Sequence, residues 1–399
     1  MIESVDEPSP HRVEPDCRYF AQCGGCDFWH MDYDEECALK RQRVLDALTR
    51  IGGFAVSDLP MHGAPEQTGY RNKVQYPVQQ KSGRIAAGFY RARTHEVIPI
   101  ETCRIQPSCA DALRRAVLEW MRTYKISAYD EKSGHGLVRH IYLRKGFASG
   151  EALCCVVVNG QSIPHAEALR EKILAAVPEM KSIVVSFNET RGNTILGDRL
   201  ETLYGDGTIT DTLCGLTFRL SVRSFYQINH DQAERLYEKA LEFAALSGRE
   251  TVVDVYCGTG TISLYLARHA KQVYGIEIVA PAIENAKKNA EENKCSNAEF
   301  ICGDAAVELP KLLAGGVRPD VVVVDPPRAG CEQKVLAAIA EVQPERVVYV
   351  SCNPASLARD LAFMNEHGYK ALVAQPVDMF PMTSHVETVV LLNRMVKPF

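Results

Sequence analysis

Two hydrophobic runs near the C-terminal end of the chain each stop at a residue that can do chemistry. Residues 347–350 are followed by Ser351 and Cys352, and residues 321–324 are followed by Asp325. Short runs of this kind predict buried strands of an α/β sheet, and such sheets bind ligands at the carboxyl ends of their strands. Cys352 is therefore a candidate nucleophile, although a free cysteine also packs as a small hydrophobe and this chain has fourteen.

The segment upstream of these runs predicts a cofactor site. Residues 251–270 read as a strand, a glycine-rich turn containing Gly258, and a helix. A second strand, 273–276, ends at Glu277, which is suited to accept hydrogen bonds from ribose hydroxyls. Ser263 stands where the dinucleotide fingerprint has its third glycine, which argues against NAD or FAD and favours a mononucleoside-like cofactor.

Acidic residues recur at the ends of successive predicted strands. Asp304 follows the strand 299–302, where its carboxylate could hydrogen-bond an adenine. The ordered series is Asp254, Glu277, Asp304 and Asp325. Strands alternating with helices, each ending in an acid, predict a doubly wound α/β fold with its ligand site at one sheet edge.

At this point the sequence resembles the S-adenosylmethionine-dependent RNA uracil-5-methyltransferases over nearly its whole length. The matching stretches are DVYCGTGTISLYLA (254–267), VYGIE (273–277), DPPRAG (325–330), VSCNP (350–354), HVETVVLL (385–392), SFYQIN (224–229) and the N-terminal cysteines. The resemblance implies a C-terminal Rossmann-like methyltransferase domain (219–399) and an N-terminal cysteine-rich cluster loop with a helix (1–66). Alternating patterns and turn signals between them predict a mixed α/β central domain (67–218), which we expect to bind RNA.

The chemistry of this family accounts for the residue types. Carbon 5 of uracil is too electron-poor to take a methyl group directly, so a thiolate first adds to carbon 6, and a base later removes the C5 proton. The resemblance makes Cys352 the thiolate, Glu387 the base, and Asp325 a hydrogen-bond partner of the uracil or its enolate. It implies the following contacts to the cofactor: Gln227, Tyr256, Gly258, Thr261, Glu277, Asp304 and Asp325.

Three cysteines near the N-terminus form a second cluster. Cys17, Cys23 and Cys26 have the spacing C-x5-C-x2-C, which does not fit the C-x3-C-x2-C of radical methylases. Three clustered thiols call for a fourth ligand, and the resemblance supplies Cys103 and a [4Fe–4S] cluster. Structural zinc is the alternative, because four-cysteine sites commonly hold it. Cys37 and Cys109 are rival fourth ligands.

Length and composition set the broad class. The 399 residues are 46% hydrophobic and 24% charged, enough for two or three domains with large cores. No apolar run approaches the ~20 residues that span a bilayer, and no signal peptide is recognised, so we expect a cytoplasmic enzyme without a disulfide framework. No obligate protein partner is evident. The net charge of −5 does not exclude an RNA substrate, because the distribution of charge matters more than its sum.

One segment, 71–93, carries basic residues and no acidic ones, interleaved with aromatic rings. Its basic residues are Arg71, Lys73, Lys81, Arg84, Arg91 and Arg93, and its aromatic residues include Tyr76, Phe89 and Tyr90. This pattern suits phosphate contacts and base stacking, with an ordinary solvated strand pair as the alternative. Arg139, Arg144 and Lys145 are expected to extend the same surface.

The resemblance leaves the RNA substrate to be chosen. Members that modify the T-loop of tRNA usually lack the cluster cysteines, so the cysteines favour 23S ribosomal RNA, with tRNA as the alternative. A catalytically inactive RNA-binding protein on the same fold is a further alternative, against which Cys352, Glu387 and Asp325 argue together. Many relatives carry a small β-barrel, the TRAM domain, ahead of the cysteines, whereas sixteen residues precede Cys17 here. A naturally short member and a lost module both stay open.

Overall fold

The computed structural model describes residues 6–54 and 59–395, which build two seven-stranded sheets. The first helix is α1 (Tyr33–Arg50), and Asp32 caps it by accepting a hydrogen bond from the Glu35 amide. The N-terminal sheet contains β1 (Lys73–Lys81), β2 (Arg84–Tyr90), β3 (Val97–Pro99), β4 (Val138–Lys145), β5 (Ala152–Val158), β6 (Met180–Phe187) and β7 (Arg199–Tyr204). Its strand order is β3-β2-β1-β4-β5-β6-β7, with helices α2 (Ser108–Thr123) and α3 (Ala166–Ala176) packed on it.

A hairpin and a helix connect the two sheets. The hairpin consists of β8 (Thr208–Leu213) and β9 (Leu216–Ser221), and α4 (His230–Ala244) follows it. Hairpin residues pack in one core with the inner residues of β5 and with α4. This shared core joins the N-terminal sheet to the C-terminal one.

The C-terminal sheet confirms the predicted Rossmann-like α/β fold. Its strands are β10 (Thr251–Val255), β11 (Gln272–Glu277), β12 (Ala298–Cys302), β13 (Val321–Val324), β14 (Arg346–Ser351), β15 (Tyr369–Val377) and β16 (Glu387–Arg394). The intervening helices are α5 (Thr261–Ala267), α6 (Ala280–Glu292), α7 (Ala305–Ala314), α8 (Gln333–Val342) and α9 (Pro354–Glu366). The order is β12-β11-β10-β13-β14-β16-β15, parallel from β12 to β14, with β16 antiparallel to both of its neighbours.

Alternating side chains give this sheet two different covers. One face, including Val252, Val323 and Val350, packs with α4, α5 and the β8-β9 hairpin. The other face, including Val253 and Tyr349, packs with α8, α9 and helix α1 from the N-terminal part of the chain. Within the described ranges, no helix is long and apolar enough to cross a membrane.

The structure corrects part of the predicted RNA surface. Tyr76 is fully buried in the core of the N-terminal sheet, so its predicted stacking on a base is wrong. Arg144 is also buried, and it donates to the Ser224 carbonyl at 2.6 Å. Arg139 is buried too and donates to the carbonyls of Asn188 and Thr190. Both faces of this sheet are covered by packed elements, so side chains on either face of β1 and β4 are buried, which a count of charges along the sequence could not show.

Candidate active site

Strand register places a thiol opposite a carboxylate at one end of the C-terminal sheet. In the antiparallel ladder between β14 and β16, Ser351 pairs with Thr388, so the next position on each strand brings Cys352 opposite Glu387. Asp325 follows β13, which runs parallel to β14. By the alternation of side chains, all three groups belong to the face that packs against α4. The residues predicted to be catalytic therefore meet at one sheet end.

Local hydrogen bonds fix the loop that carries Cys352. The Asn353 side chain caps α9 by accepting from the Ala355 amide at 3.1 Å, and it donates to the Arg328 carbonyl at 3.1 Å. The Ser351 hydroxyl accepts from the Asn353 amide at 3.2 Å. Cys352 thus lies just before the N-terminus of a helix, where the helix dipole favours a thiolate. The same bonds tie Arg328 to this loop.

Burial raises the pKa of each of the three reactive groups. It raises the pKa of the Cys352 thiol to about 11, with Glu387 and Asp325 adding to the rise and Arg328 opposing it. Burial, and then Asp325, raise the pKa of Glu387 to about 8, again against Arg328. Burial alone raises the pKa of Asp325 to about 7. Such clusters of acids with raised pKa values are typical of catalytic sites.

The glycine turn leaves room for a ligand beside Glu277. Gly258 has φ +55°, and a Cβ built there meets no atom within 4 Å, so its open side faces free space. Glu277 accepts hydrogen bonds from the amides of Gly258 (3.3 Å) and Val279 (2.9 Å), which orient its carboxylate at the sheet edge. Ile278 follows it with 66% of its surface exposed. An acid beside an exposed apolar side chain fits a ribose and its base.

An unpaired oxygen lies buried behind the turn. Asp254 is buried in β10, and Ser263 donates to its Oδ2. Oδ1 of Asp254 has no hydrogen-bond partner among the described residues. Burial, followed by Asp325 and Glu277, raises the pKa of Asp254 to about 7. A buried acceptor without a donor at this position fits a bound group that carries N–H donors.

The other residues predicted to contact the cofactor are placed as follows. Asp304 caps α7 through the Ala306 amide (3.0 Å) and pairs with Lys334 (2.7 Å), and these contacts lower its pKa. The Thr261 hydroxyl shares a 2.9 Å hydrogen bond with the Tyr237 hydroxyl. The Asp304 carboxylate and the Thr261 hydroxyl are therefore both hydrogen-bonded within the protein.

Tyr256 directly follows β10, and Gln227 lies three residues before the start of α4. Tyr256 adopts φ +67°, and its ring packs on the α8 side of the sheet, where burial and then Cys331 raise its pKa. Gln227 is buried, and its carbonyl accepts from the Asn72 side chain at 2.7 Å. That bond joins the segment before α4 to the start of β1.

Sequence reasoning missed three residues at this site. Arg328 is exposed and is the cation that favours the charged forms of Cys352 and Glu387. Ile278 and Phe225 are exposed apolar residues, Phe225 with 62% of its surface exposed, two residues before Gln227. The signal that could have found them is a charged or large apolar residue directly after a strand-end acid, or inside a stretch that matches the family, as in DPPRAG and SFYQIN.

The N-terminal cysteines line one cavity. Cys17, Cys23, Cys26 and Cys103 surround about 170 Å³, together with Arg71 and aromatic side chains. Burial raises the pKa of Cys26 to about 11 and that of Cys103 to about 12. In the described part of the chain, no three histidine, cysteine or carboxylate side chains form a group that could hold a single metal ion.

The rival fourth ligands lie elsewhere. Cys37 contacts the region of Tyr33 and Gly63, and Cys109 is buried in the core of the N-terminal sheet. The cysteine loop packs tightly on the sheet, since a Cβ at Gly24 would lie 2.9 Å from the Ala92 Cα. Of the three candidates for the fourth position, Cys103 is the one that faces the cavity.

Comparisons with known proteins agree with this geometry. A family model described as tRNA (uracil-5-)-methyltransferase matches residues 208–395. Relatives from Clostridium acetobutylicum (45% identical over 396 residues) and Halalkalibacterium halodurans (48% over 393) are named as RNA methyltransferases, and each match covers 98% of this chain and 86% of the relative. A solved Pyrococcus abyssi structure, tRNA (uracil-54, C5)-methyltransferase in complex with S-adenosyl-L-homocysteine, aligns with TM-score 0.79 at 27% identity, covering 98% of this chain and 88% of that one.

Proposed function

We propose that this chain, which belongs to the RNA uracil-5-methyltransferase family, methylates carbon 5 of a specific uridine in 23S ribosomal RNA. The reaction would proceed through a covalent adduct of Cys352. The methyl donor of the family is S-adenosylmethionine, whose sulfonium carries an electrophilic methyl group. The observation that carries the proposal is the placement of Cys352 opposite Glu387, with Asp325 on the same face. A nucleophile, a base and a hydrogen-bonding acid are the three groups that the reaction needs.

Cys352 supplies the nucleophile. Its thiol gives its proton to solvent, and the thiolate sulfur bonds to C6 of the uracil, which moves the electron pair of the C5–C6 double bond into an enolate. The α9 N-terminus and Arg328 favour this negative charge, which offsets part of the burial that raises the thiol pKa. The enolate carbon C5 then attacks the methyl group, whose bond to the donor sulfur breaks so that the sulfonium leaves as the neutral thioether S-adenosylhomocysteine.

Glu387 supplies the base for the last step. Its carboxylate takes the proton from C5, the electron pair restores the C5–C6 double bond, and the C6–S bond breaks to release Cys352. A pKa near 8 suits a base that works close to neutral pH. Asp325 would hydrogen-bond the uracil or its enolate, which its raised pKa allows as a donor.

The cofactor would lie over the glycine turn. Glu277, with both oxygens oriented by backbone amides, would accept from the ribose hydroxyls, while Ile278 would contact the adenine. The buried Oδ1 of Asp254 leaves an acceptor for the amino end of the ligand. Asp304 would have to exchange its bond with Lys334 to reach the adenine.

The four cysteines fit a [4Fe–4S] cluster better than one zinc ion. A tetrahedral zinc site, with Zn–S bonds of about 2.3 Å, needs its sulfurs within roughly 4 Å of one another. The described residues contain no such group, yet all four cysteines face one cavity of about 170 Å³. A cubane cluster spreads its thiolates around a larger body and would fill that space. Uracil methylation with a sulfonium donor needs no electron transfer, so the cluster would be structural.

Two substrates remain candidates. The cysteine cavity supports 23S ribosomal RNA, while the likeness to a tRNA uracil-54 enzyme supports tRNA as the second candidate. Incubation of the protein with unmodified 23S RNA and tRNA plus labelled donor, followed by mapping of the modified nucleotide, separates the two. Label found only in tRNA would overturn the ribosomal assignment and leave the chemistry intact.

The covalent mechanism is tested at Cys352. Cys352→Ala should abolish methyl transfer while donor affinity stays near wild type, because the thiol acts on the pyrimidine. Wild-type protein should be trapped on RNA that contains 5-fluorouridine, since fluorine cannot leave as a proton does. Cys214→Ala, in the turn between β8 and β9, is the matched control and should behave as wild type. Turnover by Cys352→Ala would refute the assignment.

A further inference from the structure

The connection between β15 and β16, residues 378–386, leads directly into Glu387 and is held by the N-terminal part of the chain. Lys40 of α1 donates to Asp378 at 2.7 Å and to Glu36 at 2.6 Å, and all three side chains are at most 1% exposed. Tyr33 donates to the other Asp378 oxygen at 2.7 Å. The start of the connection is thus bonded to helix α1 inside the protein.

Its middle and end are bonded to α1 and to the cysteine loop. The Met382 amide donates to Glu36 at 2.7 Å, and the amides of Asp27 and Phe28 donate to the Met382 carbonyl at 2.8 and 3.2 Å. The Ser384 amide donates to the Asp27 carboxylate at 2.8 Å, and Arg43 donates to the Ser384 carbonyl at 2.5 Å. These residues surround the connection up to the third residue before Glu387.

The buried contacts to residues 378–386 cost folding free energy, which argues that they serve a function. Burying one lysine and two carboxyl groups carries a desolvation penalty that their mutual attraction does not regain in general, and burial raises the pKa of Glu36 to about 7. Glu36 Oε2 is also buried and has no hydrogen-bond partner among the residues that the structure describes, and Met382 adopts φ +67°, in the left-handed region. A hydrophobic contact at the same place would stabilise the fold without those costs. What the charged contacts add is one defined path for the backbone that precedes Glu387.

We infer that Asp27, Glu36, Lys40, Arg43 and Asp378 are positioning residues that set the geometry of Glu387. This inference rests on the proposed role of Glu387 as the base. Proton removal from C5 needs the carboxylate within hydrogen-bond reach of one carbon, and a displacement of about 1 Å can reduce a rate by about a hundredfold. Looser contacts should therefore slow the release of the adduct and leave its formation unchanged.

The same contacts connect the cysteine cavity to the active site. Asp27 and Phe28 directly follow Cys26, and Met382 packs in one cluster with Trp29, Tyr70 and Ile105 beside that cavity. The cysteine loop is therefore one of the elements that hold the connection 378–386 in front of Glu387. This gives the cysteine site a role in catalysis that involves no redox chemistry.

The test removes the exposed contacts, because Lys40→Met would leave two buried carboxylates unpaired and could prevent folding. The double variant D27A/R43A removes both side-chain bonds to Ser384. The control is D46A/R50A, which removes an exposed ion pair of α1 that does not contact the connection. Asp27→Asn should rescue the single Asp27→Ala variant, because its amide oxygen can still accept from Ser384. Each protein is assayed as the full chain.

We expect D27A/R43A to lower kcat about tenfold or more and to lower KM in proportion, so that kcat/KM stays within about twofold of wild type, because the slowed step follows methyl transfer. Methylated, covalently bound RNA should accumulate on denaturing gels, and RNA carrying deuterium at C5 should show a larger isotope effect than with wild type. Hydrogen exchange at the Ser384 amide should be faster. The inference would be refuted if the adduct level and the isotope effect were unchanged. It would also be refuted if adduct formation and adduct release fell equally, in proportion to the fraction of folded protein.

Glu387→Gln, measured in parallel, keeps the two proposals apart. If Glu387→Gln accumulates the adduct and D27A/R43A does not, the base assignment stands and the positioning inference fails. If Glu387→Gln turns over without an adduct, the base assignment itself fails.

Discussion

Replacing Glu387 with glutamine should make the protein more stable at alkaline pH. Glu387 is buried beside Asp325, and burial raises its pKa from the ordinary value of 4.5 to about 8. Between these two values the folded protein binds a proton on Glu387 that the unfolded chain has lost. Stability must therefore fall as pH rises through this window, and it levels off above pH 8. A neutral glutamine of the same shape removes that dependence.

The size of the effect follows from the shift. One pKa unit corresponds to about 1.4 kcal/mol, so the full shift corresponds to about 5 kcal/mol. Most of it lies inside an accessible range: the stability of Glu387→Gln relative to wild type should rise by about 4 kcal/mol from pH 5 to pH 8.5. Asp325 titrates in both proteins, and its charge contributes to the raised Glu387 pKa, so it does not change the sign of the effect.

The assay is denaturant unfolding of wild type and Glu387→Gln at a series of pH values, with tryptophan fluorescence and circular dichroism as probes. Glu366→Gln, at the exposed end of α9, is the control and should give a difference that is independent of pH. A Glu387→Gln difference that stays constant between pH 5 and 8.5 would refute the argument that burial keeps this carboxyl protonated. The same pKa predicts that wild-type kcat rises with pH towards a plateau above about 8, because the base must be ionised.

Three further outcomes test the rest of the site. Glu277→Ala should weaken donor binding by about 1.5–3 kcal/mol through lost charge-assisted hydrogen bonds, and unchanged affinity by calorimetry would contradict the ribose assignment. Anaerobically purified protein should be brown with about four iron and four sulfide per chain, and Cys103→Ser should lose both; colourless protein with one zinc would overturn the cluster. Reversing the exposed Arg84 and Arg93 to glutamate should weaken RNA binding and flatten its salt dependence, since each phosphate contact contributes about −0.7 to −0.9 to the slope. An unchanged slope would place the RNA path elsewhere.

The charge-reversal pair follows from the structure. Lys81 and Arg91, which the sequence grouped with the basic segment, both pair with Glu96 at 2.9 and 3.1 Å. Lys73 is half-buried, and burial lowers its pKa to about 8. Arg84 and Arg93 are exposed and lie outside these pairs, so they are the better probes of phosphate contact.

The C-terminal sheet was predictable from sequence because its signals are local. Buried parallel strands read as continuous valine runs, and each run ends directly at its functional residue. The helix predicted to close the segment 251–270 ends at Ala267, three residues before the predicted end. Such differences of one to three residues are ordinary at element ends.

The role of the N-terminal segment was not predictable in the same way. Helix α1 was expected from its periodicity, but nothing in residues 33–50 indicates which surface it covers. Its buried Lys40 and Glu36 read as solvated residues in sequence, because charged side chains are rarely buried. Their partner Asp378 lies more than 300 positions away along the chain, a pairing that only the fold reveals. The sequence also gives no sign that Oδ1 of Asp254 lacks a hydrogen-bond partner among the described residues, because that depends on the path of the glycine turn.

The electrostatics of the site imply an order of events. Cys352, Asp325 and Glu387 all have raised pKa values, and ionising all three together would place three negative charges around Arg328. The negative charges must therefore form one after another during the reaction. Formation of the C6–S bond moves the thiolate charge into the uracil, and methylation removes it, which leaves the site free to ionise Glu387 for the final proton transfer. In the free protein Glu387, with a pKa of about 8, ionises at lower pH than Cys352, with a pKa of about 11, so the thiolate is disfavoured there and its charge must pass into the uracil as the C6–S bond forms.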